Sequence, residues 1–221
     1  MNIDKIKMFC VTLKNTEERT SYARNLFHQM GLKVDFFYGV DGSLLNVESF
    51  NVYETFVPSK KTWRLRNGVI GCGLSHILLW NVILRLGHNE VLILEDDVEF
   101  VDNFRENFTL AYDELPSNWD IFYLENRMWP KEEQKMKITP RISRCHPVGT
   151  YGYMIKRKVI EYFVKSTCFS LIDLDITLKE NVLPNVNCYV ADPTLIKEKS
   201  VSDGVMSREG IWKSLTYDWK L

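Results

Sequence analysis

Three consecutive acidic residues, Glu95, Asp96 and Asp97, directly follow the apolar run "VLIL". Adjacent carboxylates repel by roughly 4 kcal/mol per pair at a separation of about 4 Å and a dielectric constant of about 20. Proximity to a core adds the cost of lost hydration. A hard divalent cation with oxygen ligands would turn this repulsion into coordination. A solvated acidic turn before the next helix is the alternative interpretation.

Two further carboxylates, Asp173 and Asp175, stand two residues apart in the apolar segment "LIDLDITL". On a strand they would share one face. Buried carboxylates need a partner, a metal or a proton to handle, so the pair is a candidate for general-base catalysis. Capping of a helix is the alternative, and it accounts for one of the two more easily than for both.

The segment "NGVIGCGLSH", residues 67–76, contains three glycines. It leads into an apolar stretch, Cys72 to Gly87, which predicts a buried helix with Ser75 and His76 in its first turn. Glycines permit close backbone approach, and a helix N-terminus attracts anionic groups such as phosphate. An ordinary loop followed by a core histidine is the alternative.

The elements that must position these residues begin with a strand at residues 6–13. Asn15 and Glu18 have the spacing of a capping box, and Gly31 is a natural end for the helix that follows. A second strand covers residues 33–40. This strand–helix–strand unit predicts a parallel pair with a right-handed crossover.

Strands and helices continue to alternate along the chain, which indicates an α/β fold. In open α/β sheets, ligands bind at the carboxyl ends of strands, where the acidic triplet is expected. The region between residues 44 and 67 is interpreted as a basic surface loop with a short helix. The remaining predictions are strands at 91–94, 119–124 and 149–155 and helices at 102–115 and 158–166.

Length and composition favour a single domain with a full core, since 45% of the 221 residues are hydrophobic. The net charge of -1 gives no reason to expect nucleic acid as a partner. Five cysteines without CxxC spacing indicate buried thiols rather than a zinc ribbon or a disulfide framework. No signal peptide is predicted, because the opening "MNIDKIKMFC" has no apolar h-region. No transmembrane segment is predicted either, because the apolar run "ILLWNVILRL" is short and interrupted. A soluble, cytoplasmic location is the resulting expectation.

Taken together, eight motifs resemble glycosyltransferase family 25, which includes lipooligosaccharide galactosyltransferases and procollagen galactosyltransferase domains. The resemblance runs in order from about residue 6 to 204. Its most specific part is "GCxLSH" followed about twenty residues later by "LEDD". The motifs are "VTLKNTEER", "YGVDG", "GVIGCGLSHILLW", "VLILEDDVEF", "WDIFYL", "GTYGYMIKRKVIEYF", "LIDLDITL" and "VSDG".

The resemblance implies a single α/β domain of the GT-A type, with a mixed, mainly parallel central sheet flanked by helices. It spans residues 1–221, with a nucleotide-binding half at about 1–100 and an acceptor and catalytic half at about 101–221. It implies a UDP-sugar donor, carrying glucose or galactose, and Mn²⁺ or another divalent cation. The acceptor would be a glycan, a lipooligosaccharide or a hydroxylysine-containing protein. The oligomeric state is left open.

The resemblance also assigns roles to single residues. Asp97 is the first candidate metal ligand, with Glu95 and Asp203 beside it. Asp173 matches an acidic residue of the family pattern, and Asp173 or, from its apolar setting, Asp175 is the candidate base of a reaction expected to invert the anomeric centre. The residues expected to contact the nucleotide sugar are Val11, Thr12, Leu13, Arg19, Asp41, Ser75, His76, Glu95 and Asp96.

Three positions depart from the family pattern. Val69 stands where the family often has Glu, "VTL" replaces its usual "INL", and Glu198 lies near the place of a Gln. Donor and acceptor contacts are therefore less firmly predicted than the metal site. Two alternatives stay open: a metal-dependent phosphoester hydrolase, and an inactive sugar-nucleotide-binding domain that serves as a partner module.

Overall fold

The computed structural model describes residues 2–45, 67–128, 135–167 and 174–199. The strands are β1 Lys7–Thr12, β2 Val34–Tyr38, β3 Glu90–Glu95, β4 Val98–Phe100, β5 Ile121–Tyr123, β6 Met136–Lys137, β7 Ile142–Arg144, β8 Gly152–Lys156, β9 Cys188–Ala191 and β10 Ile196–Glu198. The α-helices are α1 Glu17–Gln29, α2 Asn67–Leu86, α3 Phe104–Asp113, α4 Arg157–Thr167 and α5 Leu174–Thr177. A π-helical turn, Leu178–Val182, continues α5, and 3₁₀ turns cover Ile3–Lys5, Gly42–Leu44 and Leu183–Asn185.

Eight strands form one sheet in the order β2-β1-β3-β8-β5-β9-β7-β6. β1 is parallel to both β2 and β3, and β5 is parallel to β9. β8 runs antiparallel to β3 and β5, and β7 runs antiparallel to β9 and β6. Six of the eight strands therefore point the same way, with β7 and β8 reversed. The predicted α/β fold with a mixed, mainly parallel sheet and flanking helices is confirmed.

The apolar run from Val91 to Leu94 is explained by burial of the sheet on both faces. Leu92 and Leu94 belong to one apolar cluster, and Val91 and Ile93 belong to a second cluster. All four side chains are fully buried. A strand covered on both faces reads as a continuous hydrophobic run rather than an alternating one.

The glycine-rich segment lies inside a helix, which corrects the predicted loop. Helix α2 begins at Asn67, five residues before the predicted start, so Ser75 and His76 lie in its interior. A side chain at Gly71 would place its Cβ only 2.7–2.8 Å from the backbone of Val40 and Gly42. Absence of a side chain thus lets the loop after β2 pack on the helix. Tertiary packing overrides the weak helix propensity of glycine here.

Helix α2 is also longer than the apolar run from which the absence of a membrane span was predicted. Its 20 residues meet the length and composition of a span, so length alone does not exclude one. In the structure α2 packs against α4 and α5, and Trp80 and Ile83 are fully buried. This burial is the pattern of a core helix, for which apolar composition is expected.

The predicted capping box at the start of α1 was wrong for a physical reason. The side chain of Asn15 does not cap α1; it donates a hydrogen bond to Asp41 Oδ2 at 2.5 Å, and Thr16 occupies the cap position without a side-chain hydrogen bond to the helix. A contact distant in sequence thus replaced the one that local spacing predicted. The segment after Asp173, for which a strand and a helix cap were both considered, is helical from Leu174.

Substitution of Gly71 by Ala should lower the free energy of unfolding by about 1–3 kcal/mol, because the added Cβ meets backbone atoms that cannot rotate away. Gly73→Ala is the matched control in the same helix, since its Cβ would lie 3.4 Å from Leu174 Cβ, an ordinary contact. Gly73→Ala should leave stability unchanged or raise it by up to about 1 kcal/mol. Chemical denaturation measures both, and equal losses would refute the proposed loop–helix packing.

Candidate functional site

The acidic triplet lies at the carboxyl edge of the sheet, beside the end of β1. Glu95 is the last residue of β3, and Asp96 and Asp97 form the turn to β4. The parallel register pairs Val11 with Glu95, so the strand ends are adjacent. Carboxyl ends of parallel strands are where α/β sheets bind ligands, which makes this corner the candidate site.

Arg19, in the first turn of α1, offsets the charge of two of the three acids. Its guanidinium donates hydrogen bonds from Nη2 to Asp96 Oδ1 and, at 2.8 Å, to Asp97 Oδ2. Thr12 Oγ1 donates to Asp96 Oδ2 at 2.7 Å and lies 2.8 Å from Thr20 Oγ1. The predicted repulsion between the neighbouring carboxylates is therefore offset in large part by the guanidinium of Arg19 and the hydroxyl of Thr12.

Glu95 has a separate set of partners on the core side. His76 Nε2 lies 3.2 Å from Glu95 Oε1, and Thr150 Oγ1 donates to the same oxygen at 2.5 Å. His76 Nδ1 lies 2.9 Å from the Tyr153 hydroxyl, which also accepts a hydrogen bond from Trp80 Nε1 at 3.0 Å. This buried chain of hydrogen bonds fixes the carboxylate of Glu95.

The different partners separate the pKa values of the three acids. Burial raises the pKa of Asp97 to about 7; Arg19 opposes this shift, and the charges of Glu95, Asp96 and Glu198 add to it. Burial also raises the pKa of Asp96, against the effect of Arg19. For Glu95 the pKa lies below its ordinary value, because the hydrogen bonds and charge of its partners outweigh burial. Desolvation is the largest influence on all three carboxyl groups, and it prevails for Asp96 and Asp97 but not for Glu95.

One carboxylate oxygen at this corner is left without a partner among the described residues. Asp97 Oδ1 is buried and accepts no hydrogen bond, and the Nε–H of Arg19 is buried with no acceptor. Buried polar atoms are nearly always satisfied, so an orphaned acceptor beside other carboxylates fits a cation or a ligand donor. The donor set thus suits a hard divalent ion at Asp97.

Glu125 is a candidate site residue that the sequence analysis missed. It follows β5, and its Oε2 is buried without a hydrogen-bond partner in the described chain. Burial raises the pKa of Glu125 to about 7, and the charges of Glu198 and Glu95 add to the rise. The strand-end rule applied to "WDIFYLE" would have indicated it.

Carboxyl groups outnumber guanidinium groups around the acidic turn. Arg127 Nη2 donates to Glu198 Oε2 at 3.2 Å, and Arg127 Nη1 donates to the Tyr151 hydroxyl at 2.6 Å. The Arg127 side chain is 44% exposed, so it also faces solvent. The cluster contains five carboxylates and two guanidinium groups, from Glu95, Asp96, Asp97, Glu125, Glu198, Arg19 and Arg127.

Two other residues predicted to contact the nucleotide sugar, Ser75 and Asp41, form hydrogen bonds within the loop after β2 or between this loop and α2. Ser75 Oγ accepts from the backbone N–H of Val40 at 2.8 Å and donates to the Gly71 carbonyl at 2.6 Å. Asp41 Oδ1 accepts from the N–H and hydroxyl of Ser43, at 2.9 and 2.6 Å. These bonds to Ser43, and that from Asn15, lower the pKa of Asp41. Ser75 thus holds the loop after β2 against α2.

Val11 and Leu13, on either side of Thr12, are the other residues near the end of β1 that the sequence assigned to the nucleotide. Val11 is buried, and its neighbour Leu13 is half-buried. The Leu13 carbonyl accepts hydrogen bonds from the N–H and hydroxyl of Thr16, at 3.2 and 2.9 Å. The direct contacts to a nucleotide that the resemblance implies for these two residues stay predictions.

The paired aspartates differ in what can be described. Asp175 Oδ2 accepts from the Gly149 N–H at 2.8 Å, and Oδ1 accepts from the Ile176 N–H at 2.8 Å. Asp175 thereby anchors the residue next to Thr150, which binds Glu95. Asp173 and Asp203 lie outside the described residues, and their roles stay predictions.

The prediction of buried thiols is confirmed for three of the four cysteines that the structure describes. Cys10, Cys145 and Cys188 are buried, Cys72 is half-buried, and all four are thiols without a disulfide. Cys168 lies outside the described residues. The thiols therefore do not form the disulfide framework of a small secreted domain.

Comparison with known sequences decides the family. The sequence profile described as "Glycosyltransferase family 25 (LPS biosynthesis protein)" matches residues 5–178, well over half of the chain. The chain belongs to glycosyltransferase family 25. The resemblance inferred from the motifs is thus confirmed, and the acidic corner and the glycine-rich helix both lie inside the matched region.

Curated relatives of this family 25 chain come from animals and bacteria. A glycosyltransferase 25 family member of Drosophila pseudoobscura pseudoobscura is 32% identical over 158 residues, 67% of this chain and 25% of the relative. Human procollagen galactosyltransferase 2 is 24% identical over 180 residues, 76% of this chain and 28% of the relative. A putative glycosyltransferase of Haemophilus influenzae is 24% identical over 163 residues, 71% and 56% of the two chains. The match thus spans about a quarter of the animal relatives.

A solved structure supports the fold. The crystal structure of a glycosyltransferase involved in glycosylation of the major capsid of PBCV-1 superposes with a TM-score of 0.50. The two chains are 11% identical, and the superposition covers 90% of this chain and 97% of the other. At this identity the likeness concerns the fold.

Replacement of Arg19 by Gln should lower the free energy of unfolding by about 3 kcal/mol, because two buried carboxylates lose their counter-charge. Adding Asp97→Asn to this variant should recover part of the loss. Arg24→Gln on the same helix is the control, since Arg24 is exposed and its guanidinium stacks on Phe36, at 4.2 Å. Denaturant titration measures all three variants, and equal losses for Arg19→Gln and Arg24→Gln would contradict the assignment.

Glu125 should make stability depend on pH. Its pKa is about 7 when folded, above its ordinary value of 4.5, so the folded chain holds the proton more tightly. The resulting stabilisation is complete below about pH 4.5 and lost as the pH rises through about 7. Relative to Glu125→Gln, which stays neutral, the wild type should lose about 2–3 kcal/mol between about pH 5 and 8. Unfolding measured in chelator at both pH values tests this, and parallel profiles would rule it out.

Proposed function

We propose that this chain transfers a hexose, glucose or galactose, from a UDP-sugar to an acceptor hydroxyl, with a divalent cation and with inversion at the anomeric carbon. Membership of family 25 supports glycosyl transfer as the class of reaction. The observation that carries the proposal is the orphaned Asp97 Oδ1, buried among carboxylates at the carboxyl edge of the sheet. We propose the GT-A type of nucleotide-sugar domain because the chain belongs to family 25.

The cation would be held by Asp97 and Glu95, with Asp203 as the third ligand proposed from the family resemblance. When bound, a divalent ion such as Mn²⁺ neutralises the charge of the diphosphate leaving group. The excess of carboxylates over guanidinium groups favours a cation at this corner. Thr12 donates a hydrogen bond to Asp96, and Arg19 donates to both Asp96 and Asp97. In this proposal the two residues support donor binding by orienting these carboxylates.

Three carboxylates are candidates for the base that takes the proton from the acceptor hydroxyl. Asp173 is proposed from the resemblance. Asp175 is the weaker candidate, because both of its oxygens already accept backbone N–H groups. Glu125 has a raised pKa, near 7, and a buried oxygen with no partner in the described chain. A base is most effective when its pKa lies near the working pH.

The acceptor is proposed from the relatives. The family description names lipopolysaccharide biosynthesis, and one human relative is a procollagen galactosyltransferase. We therefore propose a glycan hydroxyl, as in lipooligosaccharide, or the hydroxyl of a hydroxylysine side chain. In this proposal the exposed guanidinium of Arg127, which pairs with Glu198, would donate hydrogen bonds to the hydroxyl or carbonyl oxygens of the acceptor molecule.

Calorimetry with UDP, with and without Mn²⁺, is the first test. Binding should require the cation and should weaken in Asp97→Asn, whereas Glu161→Gln, an exposed position on α4, should bind as the wild type does. Absence of UDP binding under every cation condition would remove the proposal.

Turnover is the second test, measured as UDP release from UDP-glucose, UDP-galactose and their N-acetyl forms in the presence of lipooligosaccharide or a hydroxylysine peptide. Loss of the base should slow release by about 100- to 10,000-fold with little change in UDP binding. Comparison of Asp173→Asn, Asp175→Asn and Glu125→Gln identifies which residue it is. UDP binding without turnover would support the inactive partner module, and phosphate release without an acceptor would support the hydrolase.

A further inference from the structure

A thiol, an imidazole and a carboxylate converge on the core side of the acidic corner. One donor atom from each of Cys72, His76 and Glu95 lies within 4.8 Å of the other two. Thr150 Oγ1 is the fourth polar atom there, 4.0 Å from Cys72 Sγ and 2.5 Å from Glu95 Oε1. Separations of this size allow one ion to contact all three ligands after small side-chain rotations.

Rigid elements hold the three ligands. Cys72 and His76 are four residues apart in α2, so they project from the same face of a buried helix. Glu95 ends β3 in the middle of the sheet. His76 is fully buried, whereas Cys72 is half-buried and the Glu95 side chain is 17% exposed. The cluster is therefore fixed from behind and open toward solvent on one side.

The outer contacts are those of a metal-binding histidine. His76 turns Nε2 toward Glu95 at 3.2 Å and Nδ1 toward the Tyr153 hydroxyl at 2.9 Å, and Trp80 donates to that hydroxyl. Ligating histidines generally use their second nitrogen in such a hydrogen bond, which fixes the ring. The ring of His76 is thus already oriented with Nε2 toward the Glu95 carboxylate and with a nitrogen within 4.8 Å of the Cys72 thiol.

We propose that Cys72, His76 and Glu95 form a second metal site, for Zn²⁺ or an ion of similar softness. Thiolate and imidazole ligands select such ions over Mn²⁺ and Mg²⁺, which prefer oxygen. Three protein ligands leave the fourth tetrahedral position for water. Binding releases the thiol proton of Cys72 to solvent and leaves the imidazole hydrogen on Nδ1, facing the Tyr153 oxygen.

The soft-metal site and the oxygen-ligand site at Asp97 share Glu95, so the two ions should compete. This expected competition rests on the proposed function. An ion held by Cys72 and His76 draws the Glu95 carboxylate away from the oxygen-ligand site at Asp97. Zn²⁺ should therefore weaken the Mn²⁺-dependent binding of UDP, and Cys72→Ser should relieve the effect. The soft-metal site itself is tested without nucleotide, so its failure and that of the proposed function are separate results.

Cobalt spectroscopy on the metal-stripped chain is the decisive experiment. Addition of Co²⁺ should produce a thiolate-to-cobalt charge-transfer band in the near ultraviolet, together with strong visible bands of tetrahedral cobalt. Cys72→Ser should abolish the charge-transfer band and weaken Zn²⁺ binding in a chelator competition by at least about 10-fold. Cys145→Ala, which removes a buried thiol outside the cluster, should retain both properties.

Alkylation of the wild-type chain tests the site without any substitution. Zn²⁺ should slow the reaction of iodoacetamide with Cys72, as located by mass spectrometry, and Mg²⁺ should not. A wild-type chain that gives no charge-transfer band, or a band that persists in Cys72→Ser, overturns the proposal. Equal alkylation rates with and without Zn²⁺ overturn it as well, even if Cys72→Ser does not fold.

Discussion

The hydrogen bonds from Arg19 to Asp96 and Asp97 are the interaction on which the corner depends. They allow two buried carboxylates to remain in a turn between β3 and β4, where like charges and lost hydration would otherwise oppose folding. The arrangement exists because β1 and β3 are parallel neighbours, which puts Thr12 and the start of α1 beside the acidic turn. The sheet topology therefore determines both which counter-charge reaches the acidic turn and which carboxylates are available for chemistry there.

Much of the fold and the centre of the site could be predicted from the sequence. Continuous apolar runs such as Val91 to Leu94 mark strands buried on both faces, and the strand-end rule placed Glu95 to Asp97 at the ligand-binding edge. Residues near the ends of β1 and β3, such as Thr12 and Asp96, were brought together as expected. This works because parallel strand ends meet whatever the loops between them do.

What could not be predicted depends on contacts between distant segments. The glycines of α2 suggested an anion-binding loop. Instead, the backbone at Gly42 packs so closely against Gly71 that a side chain at position 71 would collide with it. Asn15 has the spacing of a helix cap, yet it bonds Asp41, 26 residues away. The nucleotide contact expected of Arg19 stays a prediction, whereas its bonds to Asp96 and Asp97 depend on the direction of α1, which the sequence pattern does not specify. Local spacing contains no information about such partners.

The reversed direction of β8 determines which segment of the chain lies beside the acidic turn. Because β8 runs against β3 and β5, the segment before it, not the one after it, reaches the acidic corner. Thr150 there contacts Glu95, and Tyr151 contacts Arg127. One short stretch of chain therefore touches both halves of the corner. Exchange of residues 149–151 would therefore change the partners of Glu95 and Arg127 together, while the acidic turn and the sheet stay untouched.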